Sequence, residues 1–223
     1  AAHLTPLALL TRDGFTAVAF HGASVLLEPA LLPAKQRLLS QVRGRVVEIG
    51  AGAGANLELY PSSLEELVLV EPNTVLQPPL RKRADSADLG AARVSVLGQQ
   101  IEDVTLEPRS VDYAVLTLSL NCVTSSQRVL EQVYSWLKPG GKMIVMEPIS
   151  APWRGQLSFR AVEWLAERTS SLLWGGITGG CHLGRETLSR LQTLKGTRFK
   201  DRQDVVVPWL GLPVVTAVLE RIT

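Results

Sequence analysis

A chain of 223 residues, 46% of them hydrophobic, is long enough to bury one large sheet-based core, and it suits a single domain. The net charge of +2 and the absence of any basic run longer than Arg81-Lys82-Arg83 leave no nucleic-acid footprint, so nucleic acid is not an expected partner. Cys122 and Cys181 lie far apart and outside any CxxC or His-rich neighbourhood, which indicates neither a disulfide framework nor a metal site and suits a reducing compartment, cytoplasmic or inside an organelle. The chain begins AAHLTPLALL without an initiator Met, as a processed chain would after losing a targeting peptide or an anchor. No stretch reaches the roughly 18 apolar residues of a spanning helix. The best, Phe15 to Leu32, is broken by His21, Gly22, Glu28 and Pro29, so membrane association is expected only through a missing N-terminal segment.

In chain order, Pro33 to Gln41 predicts a helix ahead of the first strand, placed to cover a cleft. From Arg45 to Pro148, short β-branched runs alternate with longer amphipathic ones, the pattern of parallel strands joined by crossover helices. Strands are predicted at Arg45 to Ile49, Leu67 to Glu71, Arg93 to Leu97, Val111 to Leu116 and Lys142 to Glu147. Their Val, Ile and Leu content suits strands covered on both faces. Helices are predicted at about Ala55 to Tyr60, Thr74 to Ala87 with an interruption at Pro78-Pro79, and Ser126 to Leu137. Leu137-Lys138-Pro139-Gly140-Gly141 reads as a helix stop and turn. After Pro148 come a Trp- and Leu-rich segment from Arg154 to Trp174, a glycine cluster, a helix from about Arg185 to Leu194, and two strands, Phe199 to Val207 and Val214 to Arg221. The expectation is an α/β fold with a doubly wound, mostly parallel sheet. Within it, residues 1–44 would cover a cleft, 45–148 would form the ligand-binding core at the sheet's carboxyl edge, and 149–223 would close its far side.

The stretch VVEIGAGAGANLELY, from Val46 to Tyr60, carries the strongest signal. Gly50, Gly52 and Gly54 follow a strand, where glycine lets the backbone approach a ligand and aim helix N-terminal amides at it. A tight turn without a ligand is the plain alternative. The spacing is one residue tighter than the dinucleotide fingerprint G-x-G-x-x-G. Glu48 precedes the loop, and about twenty residues on the second strand ends in Glu71, where an acid accepts hydrogen bonds from ribose hydroxyls.

These residues resemble the class I S-adenosylmethionine-dependent methyltransferases, whose first motif reads acid-x-Gly-x-Gly-x-Gly and whose second strand ends in an acid. Gly98-Gln99-Gln100-Ile101-Glu102 falls at the adenine-binding turn of such enzymes. Ser110-Val111-Asp112-Tyr113-Ala114-Val115 matches their fourth strand, and Leu-Lys-Pro-Gly-Gly is equally typical. The resemblance covers about Arg45 to Glu147. It implies a Rossmann-like sheet of seven strands with an antiparallel C-terminal strand, and S-adenosyl-L-methionine as the cofactor. It places the Gly50 to Gly54 loop, with Ala51, against the methionine part and Glu71, followed by Pro72, at the ribose. Gln100 and the Ile101 amide fall at the adenine, although many relatives have Asp where Gln100 stands; a Gln carbonyl oxygen can face the adenine amino group as well. Glu48 is linked in such enzymes to the cofactor amino group, commonly through water. Farther on, Glu147-Pro148, Pro152-Trp153, the run Gly180-Cys181-His182-Leu183-Gly184-Arg185-Glu186-Thr187 and Pro208-Trp209-Leu210 are similar to the methyltransferase-like seven group of thiol S-methyltransferases and to type 11 relatives. The hydrophobic N-terminal anchor of the thiol enzymes is not seen in this sequence.

Methyl transfer from a sulfonium needs collinear nucleophile, carbon and sulfur more than it needs a dedicated acid or base. A thiol reacts as thiolate, so a nearby cation or base would help. His182 and Asn121 are the catalytic candidates, with Arg185 and Cys181 in the same pocket. Against these stand plain readings: Arg185 to Thr187 opening a helix, Cys181 an inert buried thiol, and Asn121 a loop cap. Thr117 and Leu118 either meet the methionine end through their backbone or belong to the core strand. Asp112 is expected to fix the start of its strand, His21 to face solvent, and Arg81-Lys82-Arg83 to form a solvated helix face. Trp153, Trp164, Trp174 and Trp209 either wall an apolar acceptor pocket or pack in the core. The reading is a methyltransferase acting on a small, fairly apolar acceptor with a thiol favoured, without a metal. The competing reading is a methyltransferase-like scaffold subunit held among partner proteins.

Overall fold

The computed structural model describes residues 11–149, 187–208 and 212–222, and the side chains of Phe20, His21, Ala23 and Leu212 also fall outside the described part. Seven strands form one sheet in the order β3-β2-β1-β4-β5-β7-β6. They are β1 (Gly44–Ile49), β2 (Leu64–Val70), β3 (Arg93–Leu97), β4 (Val111–Thr117), β5 (Leu137–Pro148), β6 (Thr197–Val207) and β7 (Leu212–Arg221). The first five pair in parallel, whereas β7 runs antiparallel to both β5 and β6. Strand order reverses between β1 and β4, and open α/β sheets bind ligands outside the carboxyl ends of the strands at that switch point.

The period-two alternation of strand side chains divides the core. Val47, Ile49, Ala114, Leu116, Met143 and Val145 point to one face, where Val129, Leu130, Val133 and Trp136 of α3 (Ser126–Trp136) and Leu191 of α4 (Thr187–Thr193) cover them. Val46, Leu67, Leu69, Tyr113, Val115 and Ile144 point to the other, under Leu38 and Leu39 of α1 (Arg12–Leu39) and Leu80 of α2 (Gln77–Ser86). Coverage on both faces explains why the central strands carry so few polar residues.

Besides the segment that follows β1, three elements depart from the sequence reading. The helix expected from Pro33 begins at Arg12 instead, with Pro29 and Pro33 inside it and Thr11 capping its start by accepting from the Gly14 amide at 3.0 Å. Burial of Leu27 and Leu31 against Val207 and Val214 offsets the hydrogen bonds that the prolines remove. Pro78 and Pro79 do not interrupt α2 but begin it, at positions whose N–H groups have no intrahelical partner. Asn73 holds the preceding residues in a turn, its Oδ1 accepting from the Val75 amide at 2.9 Å. Leu137 to Gly141 is the start of β5 rather than a connecting turn: Leu137 pairs with Val111, and a register shift follows before Tyr113.

At the amino edge, Asp112 accepts from the Arg45 amide at 2.9 Å and pairs with Lys138 at 2.8 Å, which locks the starts of β1, β4 and β5. Arg81, Lys82 and Arg83 lie exposed on α2, with Arg83 paired to Glu58 at 3.1 Å. The end of α3 is held by Arg221, whose Nη1 donates to the carbonyls of Tyr134 and Leu137 at 2.9 Å each and of Ser135 at 3.3 Å. Arg221→Met should therefore lower unfolding free energy by about 1–3 kcal/mol, because buried carbonyls lose their donor. Urea denaturation checks this, and Arg221→Lys should recover part of the loss.

Candidate functional site

The glycine loop leaves β1 at the switch point. Gly50, Gly52 and Gly54 all have positive φ, at 72°, 58° and 84°. A Cβ on Gly50 would come within 2.7 Å of the Ser119 Cβ, whereas one on Gly52 would meet nothing within 4 Å. The first glycine is thus required by close packing against the segment after β4, and the second borders open space. The amides of Gly50 and Ala51 both donate to the Val70 carbonyl, at 2.9 and 3.1 Å, which ties the loop to the end of β2. No α-helix follows. Residues Leu57–Leu59 form a single 3-10 turn, so the expected helix from Ala55 to Tyr60, with its N-terminal amides, is absent. Pro61 stops any continuation, and Asn56 and Tyr60 turn inward to Glu48 while Glu58 faces Arg83.

Glu71 is 6% exposed and brackets the loop from the other side. Its Oε2 accepts from the Gly52 amide at 2.7 Å and its Oε1 from the Asn73 amide at 2.8 Å. Burial raises its pKa, the two amides pull it back, and Asp13 raises it further. Asp13, near the start of α1, accepts from the Thr74 amide and hydroxyl at 3.0 and 2.5 Å, while its carbonyl accepts from Asn73 Nδ2 at 3.0 Å. The start of α1 is thereby clasped to the turn that follows Glu71. Pro72 in that turn is half-buried, and Gln77 Nε2 donates to the Glu71 carbonyl at 3.1 Å.

Glu48, 2% exposed, accepts from Asn56 Nδ2 and from the Tyr60 hydroxyl, each at 2.8 Å. Burial pushes its pKa up, with Tyr60, Asn56 and the Lys35 cation pulling it down. Both of its oxygens are thus engaged within the protein. The polar atom left over in this cluster is Asn56 Oδ1, buried and without a partner. Asn56 Nδ2 also lies 3.5 Å from Thr117 Oγ1, which joins the cluster to the end of β4.

Beyond β4, Leu118 has φ 57° and donates to the Met146 carbonyl at 2.9 Å. A non-glycine residue in the left-handed region is strained, and here the turn after it is held by Glu147. Glu147 Oε1 accepts from the amides of Ser119 and Leu120, at 2.6 and 2.8 Å. Glu147 is fully buried, and burial drives its pKa up to about 8 against the pull of the Leu120, Ser119 and Asn121 amides and the Ser119 hydroxyl. Glu147 Oε2, Ser119 Oγ and Asn121 Oδ1 have no well-formed hydrogen bond. Asn121 itself is 4% exposed. At the outer wall, Gln100 is exposed and begins the 3-10 turn Ile101–Asp103, which Gln132 of α3 fastens by donating to the Ile101 and Val104 carbonyls at 3.0 and 2.7 Å.

The expected residues of the first half, Glu48, Gly50, Ala51, Gly52, Gly54, Glu71, Pro72, Gln100, Ile101, Thr117, Leu118 and Asn121, thus all belong to loops or strand ends at the carboxyl edge of β1 to β4. His182, with Cys181, Arg185 and the four tryptophans Trp153, Trp164, Trp174 and Trp209, lies outside the described residues. Cys122 corrects the expectation of unbridged cysteines: it is disulfide-bonded. Among the described residues no group of three His, Cys, Asp or Glu could hold a metal. The arrangement fits a nucleoside whose amino-acid arm bears a positive charge: a buried acid beside the Gly52 amide, a loop open at Gly52, and an unpartnered acceptor at Asn56 Oδ1.

A family model described as "Methyltransferase domain" matches residues 26–193. The chain is 34% identical over 163 residues to the thiol S-methyltransferase TMT1B of Rattus norvegicus, a match covering 69% of this chain and 63% of the rat protein. It is 30% identical over 187 residues to the human protein of that name, covering 79% and 73%. The chain matches less than two thirds of the rat relative's length. Among solved structures, a geranyl diphosphate C-methyltransferase from Streptomyces coelicolor A3(2) has a TM-score of 0.65 at 15% identity, covering 87% of this chain and 78% of that one. That likeness is one of fold.

The buried carboxyls give a pH prediction. Glu147 keeps its proton in the folded state up to about pH 8, whereas the unfolded chain releases it near 4.5. The folded protein therefore binds the extra proton between these values, and the stability this contributes is complete below the lower value and lost as pH rises through the upper one. The melting temperature of the wild type should fall over that window relative to Glu147→Gln, which cannot ionise. A thermal melt series across pH for both proteins checks it.

Proposed function

Because the chain belongs to the methyltransferase domain family, we propose that it is an S-adenosylmethionine-dependent methyltransferase whose acceptor is a small, fairly apolar thiol. The single observation that carries the cofactor part is the bracket at the switch point, where Glu71 accepts from the Gly52 amide across a glycine bend open to one side. When bound, S-adenosylmethionine supplies a methyl group made electrophilic by its sulfonium. The residues that would hold it are Glu71 at the ribose, Gln100 and the Ile101 amide at the adenine, and the Gly50 to Gly54 loop with Asn56 at the amino-acid arm. The thiol rests on the likeness to the rat and human proteins named thiol S-methyltransferases.

Each residue has a task that needs no covalent chemistry. Glu71 exchanges or shares its amide partners with ribose hydroxyls, an acceptor role in which Gln is a poor and Ala no substitute. Asn56 presents Oδ1 to a donor while Glu48 fixes its amide orientation, and Tyr60 fixes Glu48 in turn. Thr117 and the strained Leu118 set the floor between the cofactor arm and the acceptor, so that the reacting atoms are held in line.

Glu71→Ala should weaken binding of S-adenosylhomocysteine about tenfold or more, since a charge-assisted hydrogen bond to a buried ligand is lost. Isothermal calorimetry reads this. Purified wild-type protein should methylate short alkyl thiols in preference to amines and phenols. Absence of turnover on all three classes would remove the proposed activity, and turnover on amines or phenols alone would remove the thiol.

A further inference from the structure

We infer that Glu147, acting through the Ser119 hydroxyl, takes the acceptor's proton during methyl transfer. This rests on the thiol reading above and identifies the base that the reaction of an un-ionised thiol requires. Three observations converge on one place. Ser119 adjoins the cofactor loop, its Cβ standing where a side chain on Gly50 would have to go. Ser119 Oγ and Glu147 Oε2 are both buried without a well-formed partner, an expensive state unless something arrives to complete it. The other carboxyl oxygen, Oε1, is fully used by the amides of Ser119 and Leu120, so the group is anchored while one oxygen stays available.

The surroundings suit the task. Glu147 pairs in register with Val215 of β7 and lies between Met146 and Pro148 on β5. Thr117 and Leu118 precede Ser119 from β4, and none of these is charged. Burial without a neighbouring cation lifts the carboxyl to about 8, close to the roughly 8.5 of a free thiol, and proton transfer between matched groups costs little. In the step, which starts from the ionised carboxyl and therefore gains as pH rises through about 8, the acceptor S–H proton passes to Ser119 Oγ as the Ser119 proton passes to Glu147 Oε2. The freed sulfur electron pair forms the bond to the methyl carbon, and the bond from that carbon to the sulfonium breaks with its pair left on the departing thioether. One thiol, one cationic sulfonium and one carboxylate are consumed, and two neutral thioethers, the methylated acceptor and the demethylated cofactor, and a neutral carboxylic acid result. Glu147 then returns its proton to solvent.

The test separates this role from the structural one. Glu147→Gln keeps an acceptor for both amides but cannot take a proton. Its kcat/KM on an alkyl thiol should fall by about a hundredfold, whereas on an aromatic thiol already ionised at the assay pH it should fall by less than about threefold. Ser119→Ala, which leaves every backbone hydrogen bond in place, should show the same selectivity with a loss of about tenfold; this variant decides the matter if Glu147→Gln does not fold. Infrared difference spectra of the cofactor-free wild type, taken between about pH 6 and about pH 10, should lose a protonated carboxyl band with a midpoint near that of Glu147, and Glu147→Gln should lack the band. Equal losses on both thiols would leave only a structural role, and an unimpaired variant with an unchanged pH profile would overturn the relay outright. A wild type that methylates no thiol would instead sink the thiol reading, and the relay with it.

Discussion

The hydrogen bond between Glu71 and the Gly52 amide is the constraint from which the rest of the site follows. A carboxylate at 6% exposure stays tolerable because two backbone amides face it, at 2.7 and 2.8 Å. Those amides are available only because the chain turns with positive φ through three glycines and because Asn73 folds the next turn back on itself. The same carboxylate fixes the distance between the ends of β1 and β2, and so the width of the cleft. Asp13 adds α1 to this unit by bonding the residues that follow Glu71.

A second buried carboxyl does the equivalent work at the ends of β4 and β5. Glu147 ends β5 and grips the turn after β4, and that turn packs Ser119 against Gly50. The two sides are therefore mechanically continuous from Glu71 through the glycine bend and Ser119 to Glu147, with Glu48, Asn56 and Tyr60 filling the space beneath. Each of the three acids has its pKa raised first by burial, a pattern more common at functional sites than in structural ion pairs. Among the described residues none of the three is paired to a basic side chain, and the Lys35 cation bonds Glu28 at 2.6 Å instead.

Most of the sheet was legible in the sequence because buried parallel strands leave continuous β-branched runs, and all five predicted parallel strands form, although β5 starts at Leu137 instead of Lys142. The glycine bend and Glu71 were legible because a strand, three closely spaced glycines and a strand-ending acid about twenty residues on occur together. Asn56, Tyr60 and Ser119 were not, since each sits in an ordinary polar or aromatic setting and gains meaning only when Glu48 or Gly50 is brought alongside. Glu147 left a trace, an acid inside an apolar strand, but reads equally as a strand end. The helix expected after the glycine bend failed for a local reason: Asn56 and Tyr60 prefer the buried Glu48 to a helical turn, and Pro61 closes the segment. Pro78 and Pro79 misled in the opposite direction, because proline both breaks helices and begins them and only the preceding Asn73 turn decides between the two. The disulfide at Cys122 had no spacing motif to announce it.

A crystal structure of the complex with S-adenosylhomocysteine tests the central claim most directly. The account predicts the ribose hydroxyls within hydrogen-bond reach of Glu71, the amino-acid arm against the Gly50 to Gly54 bend, and the ligand sulfur on the side of Ser119. A nucleoside bound elsewhere, or a cleft at Gly52 closed by the protein's own side chains, would contradict it.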